Sequence, residues 1–426
     1  MLRSAVLSAS RCTRVNDLMS LRTAILQRRE RLTRTIADLE ERYWSNEPIE
    51  TLVLALTQTF DSIIAELWQQ HFAKSDGCTL FAVGGYGRAE LHPGSDIDIL
   101  VLTHKSNPNR EAVEAFLRDL FDLNVEVGHS VRDIKACVRE CRSDITVATA
   151  LFERRFLCGD ESLVAPLEKA LAHPRIWPIK DFFVAKRDEQ LARHRHYDHV
   201  DYKLEPNIKT SPGGLRDIQT TLWVCSRRYG STNIDQLVTL GVLSTSEARW
   251  LNDGRRFLWW VRYGLHSLAG RKEDQLHFAR QRELSQRLGF VDTESKSAVE
   301  LFMQHYYRHV MALSDVNDIV LQHFEEDITA KKRASLERLN ERFCLINRRI
   351  DITEPDVFLR NPSAMLEMFF LMAQREENIH VRVRTIRALR EAIHLIDDGF
   401  RSDQENCRLF LSILKSPYTV VTQLTL

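Results

Sequence analysis

Apolar residues recur at helical spacing through Ile25, Leu32, Ile36 and Leu39, and again through Leu52, Leu56, Phe60, Ile64 and Leu67. The chain from Leu21 to about Phe72 therefore reads as helix. The period then changes. Thr79-Leu80-Phe81-Ala82-Val83 and Ile99-Leu100-Val101-Leu102 are short continuous apolar runs and read as buried strands. Val125-Glu126-Val127 alternates as a half-buried strand does, while Leu117–Leu123 has helical spacing. From about Pro174 no strong strand pattern is visible. Helices are expected over Phe182–His199, Leu215–Tyr229, Ile234–Leu240, Ser244–Leu268, Arg280–Leu288 and Glu294–Ile319. A charged connector, Glu326 to Arg342, leads to another helical stretch, with Asn361-Pro362-Ser363 as its start signal. The pattern predicts an α+β fold: a mixed sheet with helices, followed by an all-helical domain. Four parts are expected: an N-terminal helical segment (1–75), a sheet-containing catalytic domain (76–172), a helical domain completing the site (173–325), and a helical connector (326–426).

Candidate chemistry concentrates in Gly84-Gly85-Tyr86-Gly87-Arg88-Ala89-Glu90-Leu91-His92-Pro93-Gly94-Ser95-Asp96-Ile97-Asp98. Alternate residues of a strand share a face, so Asp96 and Asp98 point the same way. Two carboxylates so placed repel unless a positive charge sits between them, and a divalent cation is the usual solution. The paired glycines Gly84 and Gly85, at the end of a strand, let backbone N–H groups approach an anion. A lone Asp-x-Asp is a common solvated turn. Here it heads a strand behind a glycine turn, which suits nucleotidyl transfer. A third carboxylate is sought on a neighbouring strand; Glu126, between two valines, is the first choice and Asp122 the alternative. A second block, Leu204 to Gln219, passes through Pro212-Gly213-Gly214 into a helix start, a seat for an anion to which Lys209 and Arg216 could add charge. Asp217, in the first turn of that helix, suits the macrodipole whatever else it does.

These motifs resemble a known family. The strand, the Gly-Gly-x-Gly-Arg-x-Glu-Leu turn and Ser-Asp-x-Asp look like the polymerase-β-type nucleotidyltransferase core. Within that superfamily, Leu204–Gln219 and Val125–Arg132 are similar to signatures of the bacterial PII-protein uridylyltransferase/uridylyl-removing enzymes, a likeness running from about Leu21 to about Pro417. The resemblance implies a polymerase-β-like core and UTP as donor. It implies a tyrosine of the PII signalling protein as acceptor and a bacterial cytoplasmic setting. It also implies that Arg88 faces the nucleotide. On that reading Asp96, Asp98 and Glu126 hold two Mg²⁺ about 3.5–4 Å apart, Gly84 and Gly85 bind the β,γ-phosphates, and Ser95 orients the first carboxylate. Lys209, Arg216 and Asp217 are further nucleotide-binding candidates. The resembled enzymes continue into a His-Asp phosphohydrolase domain and sensing domains. None of the 15 histidines here is followed by Asp, and the chain stops at an uncapped apolar Val420–Leu426. It is expected to be truncated before the hydrolase and to lack the uridylyl-removing activity. Two other readings stay open: an adenylyltransferase of the glutamine-synthetase-modifying type using ATP, and a truncated nucleotide- or PII-binding protein without turnover.

Composition narrows the classes further. Lys plus Arg equal Asp plus Glu, 59 each, so bulk charge does not mark a nucleic-acid binder, and Lys331-Lys332-Arg333 reads as a solvated helix face. No apolar run approaches the length of a membrane span. Eight cysteines, at 12, 78, 137, 141, 158, 225, 344 and 407, form no Cys-x-x-Cys and read as reduced thiols. Residues 1–16, with Arg3, Arg11, Arg14 and three serines, have the composition of a mitochondrial transit peptide. The bacterial resemblance favours an untidy N-terminus instead. The Trp/Tyr stripe from Arg255 to His266 and the run His305-Tyr306-Tyr307 are read as core.

Overall fold

The computed structural model describes residues 2–72, 77–104, 109–197, 204–329, 335–375 and 379–416, with side chains from residue 23 onward. The chain divides into two compact units, Met1–Asn317 and Asp318–Leu426. Lys331-Lys332-Arg333, the chain end from 417 and the side chains of residues 1–16 lie outside what is described.

The first unit opens with two long helices, α1 (Leu2–Trp44) and α2 (Ile49–His71). Helix α2 buries Leu52, Leu56, Phe60, Ile64 and Leu67, the expected apolar stripe. Trp68 at its end stacks on Phe72, ring centroids 3.8 Å apart, and meets Phe116 edge-on. Next comes a four-stranded sheet in the order β3-β2-β1-β4: β1 (Cys78–Ala82), β2 (Ile97–Thr103), β3 (Val127–Arg132) and β4 (Arg155–Gly159). Strand β1 runs antiparallel to β2 and β4, while β2 and β3 are parallel, with Ile97 opposite Val127 and Asp98 opposite Gly128. Every residue of β1, and every residue of β2 except Asp98, is buried. That is why both read as unbroken apolar runs. Phe81, Leu100 and Leu102 pack with Cys137, Cys141, Ala148 and Leu151 from the helices Ile134–Ser143 and Ile145–Phe152.

Helices follow, as expected from Pro174 onward within this unit. Ile179–His196, Leu215–Tyr229 and Thr245–Ala269 bear on the site. The last begins at a capping box between Ser244 and Glu247 and ends at Gly270 in the left-handed region. Its Phe257, Leu258, Trp259, Val261, Tyr263 and Leu265 are buried, so the aromatic stripe is core. Tyr263 stacks on Tyr43, whose hydroxyl donates to the Trp260 carbonyl at 2.7 Å.

The second unit corrects the expectation of an all-helical C-terminal part. It holds a four-stranded sheet of β5 (Leu336–Arg338), β6 (Phe343–Ile346), β7 (Arg349–Ile352) and β8 (His380–Val381), with helices around it. The strands are two to four residues long, too short to display a period of two. The hairpin between β6 and β7 turns on Asn347 and Arg348, both at positive φ, without the glycine that usually advertises such a turn. Asp351 of β7 is fully buried and accepts hydrogen bonds from Arg382, Arg384 and Thr385. Phe343, Ile350, Met365, Met368 and Val381 form this unit's own core.

Leu100 lies wholly inside the first unit on the central pair of strands. Leu100→Ala is expected to lower the unfolding free energy by about 2–5 kcal/mol through a core cavity, read as a fall in the urea midpoint at unchanged slope.

Candidate active site

The functional side chains stand where β1 ends and β2 begins. After Ala82 the backbone enters a single helical turn, Gly84–Gly87. The carbonyls of Val83 and Gly84 take the N–H groups of Gly87 and Arg88. The amides of Gly84 and Gly85 head the turn, where an N–H has no partner within the helix. Gly84 sits at φ +56° with its Cα facing Asp98: a Cβ there would lie 3.4 Å from Asp98 Oδ2. Gly87 is needed for another reason, since its Cβ would fall 2.1 Å from the Glu153 carbonyl.

Asp96 and Asp98 line one cleft of about 190 Å³ with Gly84, Gly85, Arg88 and Ser95. Lys209 and Arg216, far away in sequence, line the same cleft. The carboxylates differ in electrostatics. Burial and the neighbouring Asp96 raise the Asp98 carboxyl above its ordinary range. Burial would raise Asp96 too, but Lys272 Nζ donates to both of its oxygens, at 2.7 and 2.8 Å, and holds it below the ordinary range. Lys209 is pulled down to about 8, first by burial and then by Arg262 and Arg216. A half-buried pair of like charges lined by cations suits a polyanion bound together with a divalent metal.

Arg88 lines the cleft with its guanidinium fixed by two carboxylates, Glu90 and Glu153, each at 2.6 Å. Three expected roles come out differently. The Ser95 hydroxyl accepts the His92 N–H at 3.0 Å and closes the 92–95 turn, in place of the expected hydrogen bond to Asp96. Asp217 is fully buried and does not line the cleft. Its carboxylate pairs with Arg193 and His194 and accepts the Gly213 N–H at 2.8 Å. The helix start at Leu215 is not an open anion seat either. Its first amides donate to the Ile208 and Lys209 carbonyls, at 3.0 and 2.7 Å.

Glu126 does not line this cleft. Its carbonyl accepts from Ile97 N–H at 2.8 Å, and it lines a neighbouring depression with Lys272 and His92 that shares Ser95 with the cleft. Asp122 does not line the cleft either. Among the described residues no three His, Cys, Asp or Glu side chains are grouped to hold a metal. The residue of β3 facing Asp98 is Gly128, whose Cβ would lie 2.2 Å from Asp98 Oδ1. Asp98 needs that space. Asp96 and Asp98 are the two Asp-x-Asp carboxylates that line the cleft, and they fit a divalent metal with further ligands from a bound nucleotide.

Sequence reading missed Lys272, Glu153 and the buried network that braces the Leu91–Ser95 loop. Arg262 Nε donates to Asp274 at 2.7 Å, and its Nη1 lies 3.4 Å from His92 Nδ1. His266 bridges Asp274 and the Pro93 carbonyl. Burial, with Arg262 and His266 alongside, holds His92 well below its ordinary range; burial likewise lowers His266. Despite burial, His266 and Arg262 hold Asp274 far below the carboxylate range. None of these lies in a recognisable motif. Only the contacts between distant segments reveal them.

A glycine turn, an Asp-x-Asp strand start and convergent basic residues on a mixed sheet define a nucleotidyltransferase, and residues 62–156 match the nucleotidyltransferase domain family. Residues 181–321 match the family described as GlnD PII-uridylyltransferase, and 343–426 the uridylyltransferase GlnD third domain. The chain is 47% identical over 382 residues to a bifunctional uridylyltransferase/uridylyl-removing enzyme of Pseudomonas aeruginosa (strain UCBPP-PA14), covering 89% of this chain and 42% of that protein. It is 45% identical over 406 residues to the protein of the same name in Pseudomonas fluorescens (strain SBW25), covering 94% of this chain and 44% of the relative. The chain belongs to the PII-uridylyltransferase family. It spans less than half the length of these relatives.

Two outcomes test the geometry. Gly128→Ala should push the Asp98 carboxylate aside and lower nucleotidyl transfer about a hundredfold, the cost of a misplacement of roughly 1 Å, with little change in Tm. Unaltered activity would show that Asp98 has slack. The second concerns pH. Folding holds His92 well below its ordinary range, whereas in the unfolded chain it binds a proton below about pH 6.5. Its contribution to stability is complete above that pH and is lost on acidification, at up to about 1.4 kcal/mol per pH unit. Urea titrations at pH 7 and 5.5 should show the fall; a flat profile would mean the His92 imidazole protonates in the fold.

Proposed function

We propose that this chain carries out protein uridylylation: transfer of UMP from UTP to a tyrosine hydroxyl of a PII signalling protein, with release of pyrophosphate. The observation that carries the reading is the single cleft shared by Asp96, Asp98, the Gly84–Gly85 turn, Lys209 and Arg216, in a chain of this family. The core is read as polymerase-β-like and the setting as the bacterial cytoplasm. Among the described residues no helix is long and apolar enough to cross a membrane.

Each group has a part in the transfer. The amides of Gly84 and Gly85 receive phosphate oxygens, and Gly84 has no side chain to obstruct them. Lys209 and Arg216 supply positive charge from the facing wall; because both are partly desolvated, their field on a triphosphate is stronger than in water. Asp96 and Asp98 would hold Mg²⁺, which when bound neutralises charge building on the transferred phosphorus and on the leaving pyrophosphate. Glu126, outside the cleft lining but beside Asp96 in the strand register, stays the candidate third carboxylate. Lys272 holds Asp96 ionised. We also infer that these 426 residues do not carry uridylyl removal, because they contain no His-Asp pair for the expected second metal site.

Incubation with labelled UTP, Mg²⁺ and a PII protein tests the transfer. Asp96→Asn and Asp98→Asn should each lower it by at least about a thousandfold, while Asp98→Asn unfolds no more easily than the parent, since a like-charge contact is relieved. Near-parental turnover in either would sink the metal-site reading. Label transfer from ATP and not from UTP would favour the adenylyltransferase alternative. Modified PII protein given Mn²⁺ and glutamine without pyrophosphate should release no UMP; brisk release would place the removing activity in this chain.

A further inference from the structure

Beside the catalytic cleft, and sharing its wall at Arg88, Glu153, Leu215, Gln219 and Trp223, lies a second cavity of about 330 Å³. Its far side is formed by Arg255 and Trp259 of the helix Thr245–Ala269. Two residues of its lining each carry a buried polar atom without a partner among the described residues: the acceptor Oε1 of Gln219 and the donor Nε of Arg255. Gln219 is only 8% exposed, so an unpaired amide oxygen is costly there. Arg255 is held in place by Asn252, at 3.2 Å, and by the face of Trp259, 5.2 Å away. Trp223 is engaged by Lys186 and Arg216 over its ring, and its indole N–H goes to Glu153.

A small cavity with indole walls, one unmet acceptor and one unmet donor asks for a flat ring bearing both N–H and C=O groups. A tyrosine ring offers only one hydroxyl. Uracil offers N3–H between two carbonyls. The cavity also begins at Arg88, beside the Gly84–Gly85 turn, which is where a nucleotide bound by its phosphates would extend its base. We propose that this cavity seats the base of the nucleotide and that Gln219 determines its identity, with Oε1 accepting uracil N3–H while Arg255 donates to a ring carbonyl. The proposal rests on the nucleotidyl-transfer reading above.

Calorimetry on the full chain with Mg²⁺ and non-transferable α,β-methylene analogues of UTP and CTP tests it without any acceptor protein, with inorganic tripolyphosphate as a base-free probe. The unsubstituted chain should prefer the UTP analogue. Gln219→Leu should bind it about tenfold more weakly, the worth of one buried hydrogen bond, lose the preference over CTP, and bind tripolyphosphate unchanged. Gln219→Glu, which can only accept, should turn the preference toward the exocyclic amine of cytosine. Arg255→Met should weaken the UTP analogue and also spare tripolyphosphate. If the folded Gln219 variants keep the parental UTP-to-CTP ratio, the base is read elsewhere and the proposal falls while the transfer reading stands. If the unsubstituted chain binds neither analogue nor tripolyphosphate, both fall.

Discussion

Two carboxylates two residues apart on one strand face are the constraint around which the first unit is organised. Asp96 and Asp98 repel, and half-burial sharpens the repulsion because little water is there to screen it. The fold accommodates the pair in two ways. It clears space: Gly84 and Gly128 flank Asp98 from opposite sides, and a Cβ at 128 would collide with its oxygen. It also supplies positive charge. Lys272 grips Asp96 directly, while Lys209 is held close enough that its own ammonium is strained by Arg262 and Arg216. A cleft that stores like charges of both signs is poised for a ligand carrying the opposite arrangement. Metal with triphosphate is such a ligand.

Much of the charge opposing the aspartates comes from residues beyond the segment that carries them. Lys209 precedes the helix Leu215–Tyr229, and Lys272 follows the helix Thr245–Ala269. The loop between Gly87 and Asp96 is braced by His92, Arg262, His266 and Asp274, three of them from that same later region. Gly94 meets the backbone of Arg271 and Lys272 so closely that no side chain would fit. The segment matching the nucleotidyltransferase domain, 62–156, and the segment matching the PII-uridylyltransferase family, 181–321, therefore build one site between them.

Where the sequence was legible, a local rule was at work. Strands β1 and β2 were readable because they are buried along almost their whole length, so their apolar runs are unbroken; β3 and β4 are only partly buried and carry no such run. The helices were readable from apolar stripes, and the Gly84–Asp98 device from residue types at fixed spacing. Glu126 lines the depression next to the cleft and not the cleft itself, because the register sets Gly128, and not Glu126, opposite Asp98. Asp217 failed because a buried acid can satisfy the backbone that made the turn; its partner is Gly213 N–H. The second sheet escaped because strands of two to four residues carry no period. Lys272 and Glu153 escaped because nothing local distinguishes a lysine that reaches an aspartate of the cleft from one that reaches water.

The same logic explains why Arg88 holds its place without being free to roam. A guanidinium beside the Gly84–Gly85 turn would be attracted into the cleft by Asp96 and Asp98 and would cancel the negative charge they present there. Glu90 and Glu153 tie it from two sides at 2.6 Å. Glu153 also receives the indole N–H of Trp223, so one carboxylate couples the glycine turn, through Arg88, to the aromatic wall of the neighbouring cavity. The glycine turn and the shape of that wall then depend on the same side chain. If a nucleotide seats as proposed, a change at Glu153 should disturb both its triphosphate end and its base end, whereas a change at Lys272 should disturb only the first. That separation follows from which atoms each residue touches, and it gives the cleft two addressable halves built on one shared ion-pair network.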